Sequence, residues 1–136
     1  MMATLRQALD KMRHDVASLR SGVFYWHGGR PVVHMPRRDA SPVVATCYII
    51  NAVSLLDEGL EAYLSSRGAR GAGNSKLAER IDALKKAGIL KNAVRLHKIR
   101  KVRNAYAHKL GKYGDWPEFD NVLKDVDQTF RQLGLI

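Results

Sequence analysis

The chain has 136 residues, 46% of them hydrophobic, and carries 23 Lys and Arg against 13 Asp and Glu, for a net charge of +10. That length suits one domain, 1–136, with a single modest core, and the hydrophobic share argues against disorder. The lone cysteine, Cys47, excludes an intrachain disulfide, and its place in the apolar run from Val43 to Ile50 predicts a buried small hydrophobe rather than a reactive thiol. The opening MMATLRQALDKMRHD is charged and periodic, unlike a signal peptide, and no stretch of ~18 apolar residues stands out. The expectation is a cytoplasmic protein with no membrane span.

In chain order, Leu5, Leu9, Met12, Val16 and Leu19 are spaced 4, 3, 4, 3, which predicts a helix with one apolar stripe, ended by Ser21-Gly22. Residues 21–42, SGVFYWHGGRPVVHMPRRDASP, form an irregular insert in which VFYW and PVV around His27-Gly28-Gly29 allow a short β-hairpin. A second helix starts near Pro42 with Ser41 as N-cap and runs to about Ser66, with Cys47, Ile50, Val53, Leu56, Leu60 and Leu64 recurring at near-helical spacing. RGARGAGNS, 67–75, reads as a flexible link. The third helix carries Leu77, Ile81 and Leu84 and closes on Gly88 and Ile89 as a glycine C-cap. A fourth runs from about Asn92 to Leu110, with Leu96, Ile99, Val102 and Tyr106 inward. After GKYG, Asp115-Trp116-Pro117-Glu118 reads as a capping box, and Phe119, Val122, Val126, Phe130 and Leu133 form the last stripe. Together these predict an all-α fold: an antiparallel helical bundle of four main helices plus an extra helix, with the insert after the first.

The charge is polarised. Residues 91–112 hold eight Lys and Arg and no acid, whereas residues 39–66 hold four acids and no base. Such a field attracts polyanions, and RNA or another nucleic acid is the expected partner. On the fourth helix, His97, Lys101, Asn104 and His108 are spaced 4, 3, 4 and share one polar stripe flanked by Arg100 and Arg103. The bland account of this stripe is a solvated basic helix with a stray histidine. The chemical account is cleavage of RNA by its own 2′-hydroxyl, which needs one group to take the 2′-OH proton, one to protonate the leaving 5′-oxygen, and a cation on the phosphoryl oxygens. Histidine serves either proton role near neutrality, and the arginine fork fits phosphate oxygens. No cofactor is called for, and no HExxH motif or Cys/His cluster suggests a metal.

Arg103 and His108 are therefore the catalytic candidates, with Asn104 as their polar companion. Arg100, Lys101 and Lys109, together with His27 and Arg30 on the insert, are candidates for holding substrate phosphates. An arginine and a histidine at compatible spacing occur twice, at Arg103 and His108 and at Arg20 and His27. His97 lies 11 residues from His108, about 16 Å along a helix, too far to share a phosphate. The second proton group is then either a second copy of His108 across a two-fold axis or His27. Trp26 and Tyr25 either stack on bases or pack.

Residues 103–108, RNAYAH, set near the end of a late helix in a small all-α protein, resemble the R-N-x-x-A-H motif of the HEPN domain (higher eukaryotes and prokaryotes nucleotide-binding). The resemblance covers the bundle in layout, and its specific part is these six residues. It implies a fold of four main helices plus a variable one, a homodimer, and commonly metal-independent endoribonuclease activity in toxin–antitoxin pairs and antiviral defence, hence a possible cognate antitoxin. It assigns the catalytic pair to Arg103 and His108 and the polar residue between them to Asn104. One subgroup carries a tyrosine two residues after the histidine, where this chain has Leu110. Members also place an acidic or polar residue on an earlier helix near the motif, for which Asn51 and Glu58 are the candidates. Some members bind without cutting, which leaves a non-catalytic nucleic-acid- or nucleotide-binding dimer as the alternative.

Overall fold

A computed structural model describes residues 2–21, 23–27, 30–34, 41–69, 75–109 and 111–136, with the backbone alone for the two short strands. Five helices make an all-α bundle: α1 (Met2–Ser21), α2 (Ser41–Ser66), α3 (Leu77–Lys86), α4 (Ala93–His108) and α5 (Trp116–Gln132). Between α1 and α2, the strands β1 (Val23–His27) and β2 (Arg30–His34) pair antiparallel, with Val23 opposite His34 and His27 opposite Arg30. Most of the glycine-rich 67–75 link, Leu110, Gly28 and Gly29 lie outside the described residues.

The centre of the bundle is α2, which packs most extensively on α5 and also touches α1, α3 and α4. A helix with four neighbours buries a wide arc rather than one stripe. Ala45, Ile49, Ala52, Val53, Leu55, Leu56, Leu60 and Tyr63 are all buried. This corrects the expected phase of the first half of the helix: Ile49 and Ala52 face the core, Ile50 is half-buried, and Cys47 is exposed. Cys47 sits two residues before Ile49, about 200° around the helix, and so points the other way. The apolar run offered Ile50 and Cys47 as readily as Ile49, and only the positions of the neighbouring helices decide between them. By length and composition alone Pro42–Ser66 would be apolar enough to cross a bilayer, and half of its apolar window is buried inside the protein.

The contact between α2 and α5 is close at Gly59, where an added Cβ would run into the ring of the fully buried Phe130. α5 begins where Asp115 accepts a hydrogen bond from the Glu118 N–H at 2.8 Å, and Pro117 lies in the first turn. α3 ends as read: Gly88 takes φ +75°, its N–H reaches the Lys85 carbonyl, and the Ile89 N–H reaches the Leu84 carbonyl at 3.0 Å.

Ion pairs tie the periphery to this core. Asp127 on α5 accepts from Arg131 at 2.6 Å and also pairs with Arg13 of α1. Arg20, at the end of α1, grips Asp120 at 2.9 and 3.0 Å and lies over the Trp116 ring, 5.6 Å from its centroid. Arg80 of α3 is only 5% exposed and pairs with Asp57 and Glu61 of α2.

Candidate nucleic-acid interface

The sequence of α4 decides how it sits. Its buried side chains, Ala93, Leu96 and Ile99, all belong to the first half. Val102, Arg103, Asn104 and Tyr106 are half-buried, and Ala107, His108 and Lys109 are exposed. The helix therefore rises out of the core as it runs, because its apolar stripe thins while basic residues accumulate. Its start is fixed to α5 by the Asn92 amide, which donates to Thr129 Oγ1 at 3.0 Å.

Two of the basic side chains of α4 face acids: Arg95 meets Asp125 at 3.0 Å and His97 meets Asp82 at 2.7 Å. His97 is thus engaged with α3, well away from the end of α4. Among the described residues, Lys98, Arg100, Lys101, Arg103, Lys109 and Lys112 have no carboxylate oxygen within ion-pair distance. A row of unpaired cations along one helix is an electrostatic footprint for phosphates.

Arg100, Arg103 and Asn104 line a groove against the beginning of α3, whose other walls are Lys76, Leu77, Ala78 and Asp57. Adjacent residues on a helix do not normally face each other, yet Arg103 folds back so that its Nε donates to Asn104 Oδ1 at 3.0 Å. That bond holds the guanidinium in place while its Nη groups remain available. Lys101 and Lys109 are exposed and do not line this groove.

The acidic residue that α2 brings to Arg103 is Asp57. Asn51 and Glu58 are exposed on α2 and do not line this groove. Asp57 accepts from the buried Arg80, so its charge is compensated from α3. The signal for this arrangement lies in α3, where Arg80 falls between Leu77 and Leu84 on the buried face. A buried arginine requires a partner, and α2 supplies it.

His108 is the last residue of α4, and its ring is exposed. It does not line the Arg103 groove. Five residues of regular helix separate the two by about 140° and about 7.5 Å of rise. Within one chain the arrangement thus brings together Arg100, Arg103 and Asn104 and leaves His108 apart at the helix end. His27 and Arg30 stand opposite each other across the two strands, with side chains outside the described residues.

Two anchors hold the backbone on either side of His108. Before it, the half-buried Tyr106 donates its hydroxyl to the Glu118 carboxylate at 2.7 and 2.9 Å. Burial, together with this bond to a carboxylate, pushes the phenol up to about 12. After it, the buried Gly114 N–H donates to Thr46 Oγ1 at 2.8 Å, and that hydroxyl donates in turn to the Pro42 carbonyl at 2.6 Å. The Glu118 carboxylate, expected to complete the capping box, serves Tyr106 instead. Among the described residues, no three His, Cys, Asp or Glu side chains gather as a metal-ligand set.

Comparison with known protein families, with curated proteins and with solved structures finds no match to this chain.

Proposed function

We propose that this protein is a metal-independent endoribonuclease of the HEPN kind, cutting RNA in the cytoplasm as a homodimer, in the role of a toxin or defence enzyme with a cognate antitoxin protein. The observation that carries the reading is the end of α4: an exposed histidine, a guanidinium oriented by Asn104, and neighbouring lysines and arginines that pair with no carboxylate among the described residues.

In this mechanism the RNA 2′-oxygen attacks the adjacent phosphorus. The new P–O2′ bond forms as the P–O5′ bond breaks, leaving a 2′,3′-cyclic phosphate and a 5′-hydroxyl. One His108 takes the 2′-OH proton and the second copy, from the partner protomer, gives a proton to the leaving 5′-oxygen. Arg103 Nη groups stabilise charge on the non-bridging oxygens. Because Arg103 and His108 diverge on one helix, a two-fold axis through the end of α4 is the arrangement that supplies two imidazoles to one phosphate.

The test is incubation of the purified protein with RNA in EDTA. Cleavage to cyclic phosphate ends that is lost in His108→Ala and in Arg103→Ala supports the reading. A second reading, a non-catalytic nucleic-acid-binding dimer, draws on the placement of Arg103 in a groove that His108 does not share. Salt-sensitive RNA binding without cleavage, unchanged by His108→Ala, favours it and overturns the first.

A further inference from the structure

We infer that the groove between the start of α3 and the middle of α4 binds a phosphate group, supplied by the RNA backbone at a nucleotide neighbouring the scissile one. The assignment of that phosphate to RNA rests on the function proposed above; the phosphate chemistry of the groove does not. The walls are rich in donors and poor in acceptors. Arg100 contributes a guanidinium whose Nε is buried with no hydrogen-bond partner. A buried unpartnered donor is costly in a folded protein, and among the described residues no acceptor engages the rest of this guanidinium either, so its Nη groups are left for an anion in the groove.

Asn104 accepts the Arg103 Nε bond through Oδ1 alone, so its amide N–H groups are left for a ligand beside Arg100. On the facing wall, Lys76 precedes α3 and makes no side-chain cap, so the helix opens with the Leu77 and Ala78 backbone beside these cations. The positive end of the helix dipole adds to their field. The one acid in the groove, Asp57, is bound to Arg80, and so the groove keeps its positive character. At about 320 Å³, the space suits a phosphate with its sugar rather than a longer segment held whole.

Lys76 and Arg100 thus form a binding subsite distinct from the His108 end of α4. The test uses the His108→Ala protein in EDTA, so that no turnover intervenes, carrying either Arg100→Met or Lys76→Ala. Binding of a fluorescent oligoribonucleotide is measured across a salt series, and binding of inorganic phosphate by ³¹P NMR. The expected result is a loss of oligonucleotide affinity on the order of tenfold, with the salt slope reduced by about one for each substitution. Arg100→Met is expected to keep wild-type stability or exceed it, since it removes a buried unpartnered donor. Lys76 is exposed, so its truncation leaves the fold intact.

Loss of inorganic phosphate binding with oligonucleotide binding unchanged supports a phosphate site and overturns RNA as its source. Unchanged binding of both probes in both variants overturns the proposal. Failure of RNA cleavage in the unmutated protein, with these binding losses intact, overturns the nuclease reading and leaves the subsite standing.

Discussion

Gly114→Ala is a sharp test of how the segment after His108 is held. Gly114 is buried, and its φ is not positive, so alanine is permitted by the backbone and the cost is steric. A Cβ there would lie 2.5 Å from Ile49 Cδ1, 3.0 Å from Glu118 Oε2 and 3.2 Å from Tyr106 Cε2. Ile49 is fully buried and has nowhere to retreat. Overpacking of this kind costs about 1–3 kcal/mol, and displacement of the segment also weakens the Gly114 to Thr46 bond, worth about 1 kcal/mol. A loss of about 2 kcal/mol, against an unfolding entropy of about 0.29 kcal/mol/K for a chain of this size, lowers Tm by about 7 °C. Thermal unfolding followed by circular dichroism measures it. The cause is isolated by Ile49→Val, which removes the nearest atom. Alone it costs about 1 kcal/mol, but in the Gly114→Ala background it costs less, a coupling of at least about 0.5 kcal/mol. A Tm for Gly114→Ala within about 1 °C of wild type, or strict additivity of the pair, refutes the packing described around Tyr106 and Glu118.

Three further outcomes follow from the same contacts. Tyr106→Phe removes the hydroxyl from Glu118 and costs about 1 kcal/mol, less than a fully buried bond to a charge because the site is half-open. The folded Tyr106 phenol sits above its unfolded value of 10.0, so its contribution to stability is present below pH 10.0 and is lost as pH rises toward about 12; Tyr106→Phe abolishes that alkaline limb in urea titrations. Burial alone would raise the Asp127 carboxyl, but hydrogen bonds from Arg131 and Arg13 bring it below its ordinary value of 3.8. Its stabilising effect is therefore present above that value and lost as pH falls below it, and Asp127→Asn flattens the acid limb of the stability profile. Arg80→Ala strands Asp57 beside α3 and lowers unfolding free energy by about 3 kcal/mol, measured by urea denaturation at pH 7.

Much of the bundle was legible because its signals are local. The Asp115 cap, the Gly88 helix end and the stripes of α1 and α5 depend on residues within a turn or two of each other, and the chain shows them directly. The phase of α2 was not legible, because an apolar run bounded by four neighbours contains several equivalent stripes. The apolar spacing favours Ile50 over Ile49 and puts Cys47 inside for that reason. At the candidate site, the grouping of Arg100, Arg103 and Asn104 follows from helical spacing, and the exposure of His108 follows from the loss of apolar residues toward the end of α4. The partnerships of Asp57 with Arg80, Tyr106 with Glu118 and Gly114 with Thr46 cross between elements. Only Arg80, an arginine at a core position of α3, advertised in advance that it needed one.

The convergence of two His108 rings on one phosphate is tested most directly by cross-linking. In a Cys47→Ser background, which removes the native exposed thiol, His108→Cys places one thiol at the end of α4 in each protomer. A bis-maleimide no longer than a nucleotide step is expected to join the two introduced thiols into a covalent dimer in high yield, with RNA protecting them. Capped monomers alone, from a protein that sedimentation shows to be dimeric, would contradict a shared cleft and with it the catalytic arrangement.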